Sequence, residues 1–166
     1  MNFLRHLTSY CVSFHVQLWN LFVVDYLSKR WAVQSLTEPW AITPFLSFEL
    51  SINRGISWGL FSSTNPYIFW GVTVAVGLFL AAFAWYASQD REKGICSFAQ
   101  MLVVVGGTGN LFDRVFYGGV VDFIHVHYDA WSFPSFNSAD ICIVVGVFLM
   151  VVQLFLKKNA HDQPLS

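Results

Sequence analysis

The sequence predicts an all-α polytopic membrane protein, one domain over residues 1–166 with four transmembrane helices and a small extramembrane β-sheet. Three observations carry this expectation. Hydrophobic residues make up 55% of the chain and charged residues only 11%, where soluble domains carry about 25% charged. The 17 Phe and 7 Trp suit aromatic belts at membrane interfaces. Apolar runs recur at about residues 7–26, 67–88, 95–112 and 138–156, lengths suited to a hydrocarbon core of about 30 Å. The same composition excludes a disordered chain. A net charge of −1 with no basic run speaks against a nucleic-acid partner.

Taken in order, the first span is the weakest, interrupted by His15, Gln17 and Asn20. Arg5 and His6 precede it as in a signal peptide, but no A-x-A-like site follows and Asp25 and Lys29 come directly after it, so a retained helix is expected. Asp25 and Lys29 lie one helical turn apart and form a structural ion pair. A plain helix-end bridge and a role in shaping a site are both open for it. Residues 31–65, bounded by Pro39, Pro44 and Pro66, read as extramembrane. There 45–50 has strand character and 52–61 is expected to pair with it across a turn.

Residues 67–88 hold no charge. Gly71, Ala75 and Gly77 give this span a small-residue face for close packing. A hydrophilic turn at 89–93 leads to the third span, and Lys157 and Lys158 end the fourth. Basic residues near the helix ends place both termini in the cytoplasm and the opposite loops outside. Cys11, Cys96 and Cys142 lie in apolar runs with no CxxC pair, so free thiols are expected.

Against this oily background, residues 106–140 concentrate Asp113, Arg114, Asp122, Asp129 and Asp140, with amides at Asn110 and Asn137. Ionisable groups beside a membrane core are costly and mark a functional site by default. Asn110, Asp113 and Arg114 fall at helical neighbour spacing, with Asp113 and Arg114 expected as a structural ion pair. Residues 120–124 look extended. Asp140 falls in the first turn of the fourth helix, where the dipole favours a carboxylate. Two carboxylates brought together share one proton, leaving one base and one acid, the arrangement that activates water in aspartic proteases. His125, His127 and Asp129 hint at a metal, but no HExxH or wider Cys/His cluster supports one, and no GxSxG supplies a serine nucleophile. On chemistry alone an acid-pair membrane enzyme and a small ion or proton transporter are close rivals, with a non-catalytic scaffold third. A transporter would favour polar groups mid-span, whereas these cluster at one end.

The blocks Asn53-Arg-Gly55, Gly109-Asn-Leu-Phe-Asp-Arg114, Val120-Val-Asp-Phe123 and Phe136-Asn-Ser-Ala-Asp140 together resemble the bacterial lipoprotein signal peptidases (signal peptidase II). The order and spacing of the blocks agree over nearly the whole chain. The resemblance implies a multi-pass aspartyl endopeptidase of the bacterial inner membrane with Asp122 and Asp140 as catalysts. Asn53, Gly55, Asn110, Arg114 and Asn137 would support the dyad or bind substrate. The substrate would be a diacylglyceryl-modified prolipoprotein, reached from the membrane lipid and cut just before its lipidated cysteine on the periplasmic side. The resemblance also implies no metal or other cofactor, a surface helix or periplasmic loop near 123–131, and a protein acting as a monomer. Ser57-Trp58 stands where the family often has Ala-Phe.

Overall fold

A computed structural model of the chain describes residues 2–56, 61–92 and 98–161. Residues 57–60 of the expected 52–61 strand, Ser57 and Trp58 among them, and Lys93 lie outside the described residues, whereas 89–92, expected in a hydrophilic turn, are helical. Among the described residues there are four α-helices and one four-stranded antiparallel sheet. In chain order they are α1 (Asn2–Ser35), β1 (Trp40–Thr43), β2 (Leu46–Asn53), α2 (Pro66–Glu92), α3 (Phe98–Tyr117), β3 (Val120–Tyr128), β4 (Trp131–Ser132) and α4 (Ser138–His161). The strands lie side by side in the order β1-β2-β3-β4.

Among the described residues two helices, Pro66–Gln89 and Ser138–Lys157, are long and apolar enough to cross a membrane, with mean hydropathies of 2.1 and 2.5. They bury little within the protein. Phe79 is 67% exposed and Leu154 68% exposed, outward apolar surface that water would penalise and lipid would not. Helix α2 starts where Asn65 caps it, its Oδ1 accepting from the Tyr67 N–H at 2.9 Å, with Pro66 in the first-turn position that needs no N–H. Helices α3 and α4 pack most closely. A Cβ on Gly146 would stand 2.6 Å from the Ala99 carbonyl oxygen, and one on Gly106 would collide with that of Ala139.

Helix α1 continues to Ser35, well past the expected end near residue 26. The polar residues that suggested a terminus are an inward face instead: Asp25 and Lys29 are buried, Lys29 bonded to Asn110 and Asp113 on α3 and Asp25 to Lys29 and to Ser138 on α4. The extra turns set Trp31, Ala32 and Leu36 against the sheet. Trp31 meets Phe48 and Phe123 edge-on, with ring centroids 5.7 and 6.3 Å apart. This cluster fixes the sheet to the helical bundle.

Two expectations for the extramembrane part are corrected. The partner of the 45–50 segment is not 52–61. Strand β2 runs on unbroken through Asn53 and pairs with β1 before it, Trp40 opposite Phe48, and with β3 on its other edge, Ser51 opposite Asp122 and Asn53 opposite Val120. The turn sits at Pro44, where a residue lacking an N–H is tolerated. Nor is there a surface helix at 123–131. Residues up to Tyr128 belong to β3, and Asp129 turns the chain into β4 with φ of 51°, a left-handed conformation that Asp tolerates better than most residues. Val120, Val121, Ile124 and Val126 favour a strand. Its remaining backbone groups are taken by the segment before α4, Ile124 and Phe136 exchanging N–H···O bonds of 2.9 and 3.0 Å.

Candidate active site

The N-terminus of α4 brings the two aspartates together. Asn137 is fully buried and caps the helix. Its Oδ1 accepts from the Asp140 N–H at 2.9 Å, and Asp140 Oδ2 accepts in return from the Asn137 N–H at 3.2 Å. This reciprocal capping box satisfies two donors that a helix start would leave open. The remaining atom of the Asn137 amide, Nδ2, donates to Asp122 Oδ1 at 2.7 Å and to Asn110 Oδ1 at 3.2 Å. Asn110 Nδ2 donates to the other Asp140 oxygen, Oδ1, at 2.8 Å. The amide orientations are fixed by one residue. Lys29 can only donate, and its Nζ meets Asn110 Oδ1 at 2.9 Å, so the Asn110 nitrogen must face Asp140.

Asp122 projects from β3 and is 3% exposed. Asn53, two residues along β2 from the position opposite Asp122, donates through Nδ2 to Asp122 Oδ2 at 3.2 Å. Its own Oδ1 is held by the Gly55 N–H at 2.9 Å, a local turn that aims the amide. Burial, and then the negative charge of Asp140, push the Asp122 carboxyl from an ordinary 3.8 up to about 7. The Asn53 and Asn137 hydrogen bonds and the Lys29 charge pull the other way and are outweighed.

Behind the pair lies a buried charge cluster. Lys29 is 1% exposed. Its ammonium sits 2.8 Å from Asp25 Oδ2 and 2.8 Å from Asp113 Oδ2, so with Asn110 all three of its protons have acceptors. The Asp25–Lys29 pair is therefore wired to the site through Asn110. Asp113 is an ion-pair residue, but its partner is Lys29 and not Arg114. Neighbours on a helix point about 100° apart, and Arg114 instead donates to the carbonyls of Arg54 and Gly55, clamping the chain after β2 against α3. Asp113 Oδ2 also accepts the Val121 N–H at 3.2 Å, which fixes β3 just before Asp122. Ser138 adds a further link, donating to Asp25 Oδ1 at 2.7 Å. Nothing in its sequence context had marked it, because its partner lies on α1.

Both aspartates open onto one cleft of 540 Å³. Asn53, Gly55, Asn110 and Arg114 share its lining with the apolar Ile56, Val76 and Val144, and Phe133–Phe136 form another wall. Asn137 holds the dyad from behind. His125 and His127 do not line the cleft. Among the described residues no group of three His, Cys, Asp or Glu side chains could hold a metal ion. Cys142 is a half-buried free thiol, and the side chains of Cys11 and Cys96 lie outside the described set. Two carboxyl groups facing a common cleft, the buried Asp122 holding its proton near neutrality and the half-buried Asp140, have the equipment for general acid–base attack by water.

A sequence model of the family described as "Signal peptidase (SPase) II" matches residues 18–156. A lipoprotein signal peptidase of Clostridium acetobutylicum is 38% identical over 146 residues, covering 84% of this chain and 92% of the relative. One from Shewanella woodyi is 36% identical over 135 residues, with 80% and 77% covered. Among solved structures, a bacterial membrane enzyme determined in meso at 2.3 Å superposes with a TM-score of 0.69 at 25% identity, covering 93% of both chains.

Proposed function

The chain belongs to the signal peptidase II family, and on that premise we propose that it removes the signal peptide from diacylglyceryl-modified prolipoproteins by aspartyl catalysis. Asp122 and Asp140 are the catalytic pair. What supports this is the single hydrogen-bonded frame, Asn53–Asp122–Asn137–Asn110–Asp140, that aims both carboxyl groups at one cleft. Asp140, at a helix N-terminus and accepting two N–H bonds, is the ionised base. It takes a proton from water as the water oxygen attacks the scissile carbonyl. Asp122, the protonated acid, gives its proton to the carbonyl oxygen. Collapse of the tetrahedral intermediate returns that hydroxyl proton to Asp122, while Asp140 passes its proton to the leaving amine of the lipidated cysteine. The pair is thereby restored. Asn53, Gly55 and Arg114 present polar groups to the extended peptide, and the apolar lining takes its side chains.

In this reading all four helices cross the membrane, with the termini in the cytoplasm and the sheet and cleft at the periplasmic boundary. The substrate's signal helix and acyl chains partition into the same bilayer, so the cleft meets them at high local concentration. The enzyme acts as a monomer and without a metal.

The test is cleavage of a lipidated prolipoprotein by the purified protein and its Asp122→Asn and Asp140→Asn variants. Asn keeps an acceptor oxygen in the frame and in the capping box, so both variants should fold. Each should lose activity by at least about 10²–10⁴-fold. Full activity in either would remove that residue from the dyad, and equal cleavage of the unlipidated precursor would overturn the substrate assignment. A chelator should leave the rate unchanged.

A further inference from the structure

His125 and Glu49 lie outside the cleft, yet they join the sheet to both ends of the cleft's Phe133–Phe136 wall. His125 Nδ1 stands 3.2 Å from Glu49 Oε1, and its Nε2 stands 2.7 Å from Ser132 Oγ. Glu49 Oε1 also accepts from Ser135 Oγ at 3.2 Å. Ser47 Oγ is near the same ring at 3.4 Å, and the His127 ring lies beside it at 5.2 Å. One tautomer satisfies the set: Nδ1–H donates to Glu49, and Nε2 accepts the Ser132 hydroxyl. Glu49 comes from β2, His125 from β3, Ser132 from β4, and Ser135 from the wall itself.

The wall needs such a fixture. The Phe133 N–H bonds the Val126 carbonyl at 2.9 Å and the Phe136 N–H bonds that of Ile124 at 3.0 Å. Between them Pro134 has no N–H to offer, and the side chain of Ser135 is tied through Glu49. Strand β4 and the wall segment thus converge on two residues that the chemistry does not touch.

We propose that His125 and Glu49 are positioning residues for substrate binding, a clasp that sets the Ser132–Ser135 segment at the width the extended peptide requires. This rests on the peptidase reading above. The clasp acts on the wall and not on the carboxyl groups, so its loss raises KM and leaves kcat in place.

His125→Ala, Glu49→Gln and Ser135→Ala should each raise KM for a lipidated prolipoprotein about three- to tenfold, the worth of one or two hydrogen bonds. The kcat should stay within about twofold. His125→Gln, whose amide nitrogen or oxygen can reach Ser132, should recover part of the loss seen in His125→Ala. Ser135→Ala removes a single hydroxyl and keeps the test open should the larger changes unfold the sheet. An unchanged KM in all three, with wild type active, would overturn the clasp alone. Loss of kcat with KM unchanged would also overturn it, as would covalent labelling of Ser132 by a fluorophosphonate, which would make the serine a nucleophile. If wild type cleaved no lipidated precursor, the peptidase reading would fail first.

Discussion

Through one buried amide, Asn137 donates to Asp122 and Asn110 and accepts from the backbone of Asp140. A rigid side chain that contacts both aspartates fixes their separation, and so couples their protonation. Asn53 acts on only one of them. Its amide favours the ionised form of Asp122, against the burial that holds the carboxyl at about 7. If Asp122 supplies the proton, kcat/KM should fall as pH rises through about 7. Removing the Asn53 donor makes the ionised form harder to reach, so Asn53→Ala should move that alkaline limb upward by roughly one unit. A pH profile of the two proteins checks this. A limb that stays put or moves down would show that Asp122 is not the group losing the proton. The Asp122 and Asp140 blocks were legible in the sequence because carboxylates framed by amides are rare in so apolar a chain. Their roles were less so, since an Asp in a first turn is equally a capping residue. Asp140 turns out to cap α4 and to face the cleft at once.

At the scale of elements, α1 and α3 are joined by charge where the rest of the bundle is joined by small residues. Lys29 on α1 reaches Asp113 on α3 at 2.8 Å, and a Cβ on Gly109 would stand 2.5 Å from Asp25 Oδ2. The helices can meet there only because residue 109 has no side chain. Lys29→Met would leave Asp25 and Asp113 buried without a counter-charge, at a cost of about 3–5 kcal/mol. Unfolding in detergent should register that loss. Adding Asp113→Asn should recover part of it, since the second change removes one of the two stranded charges. Equal or greater destabilisation of the double variant would mean that the cluster is not held by Lys29. The pair Asp25–Lys29 was visible from its one-turn spacing, but its partner on α3 was not, because local periodicity carries no information on contacts distant in the chain. The same limit misplaced the sheet partner of β2. Strand character at 45–50 is local and legible, while the pairing of β2 with β1 and β3 depends on long-range register. The segment at 123–131, where the family resemblance implies a surface helix or a loop, shows the complement: Ile124 and Val126 carry the β-branched signal of the strand that forms there.

At the scale of the whole molecule, the strands fall in chain order between the C-terminal end of α1 and the N-terminal end of α2, and between the C-terminal end of α3 and the N-terminal end of α4. If all four helices cross, the 36–65 and 118–137 connections must share one face of the membrane, and both chain termini must share the other. The sequence's charge bias puts the termini inside by five basic residues to four, a weak margin. The chemistry is the stronger guide. On the proposed reading the substrate's signal helix lies in the bilayer when it is cut, which puts the cleft on the side where the mature protein emerges. In a cysteine-free background, Thr37→Cys, at an exposed position beside β1, should react with a membrane-impermeant maleimide applied to intact spheroplasts. Lys157→Cys, exposed near the far end of α4, should react only after permeabilisation. The reverse pattern would invert the protein and put the cleft out of reach of its substrate. Labelling of both positions from outside would leave an odd number of crossings between Thr37 and Lys157 untenable, and α2, α3 and α4 could not all be spans.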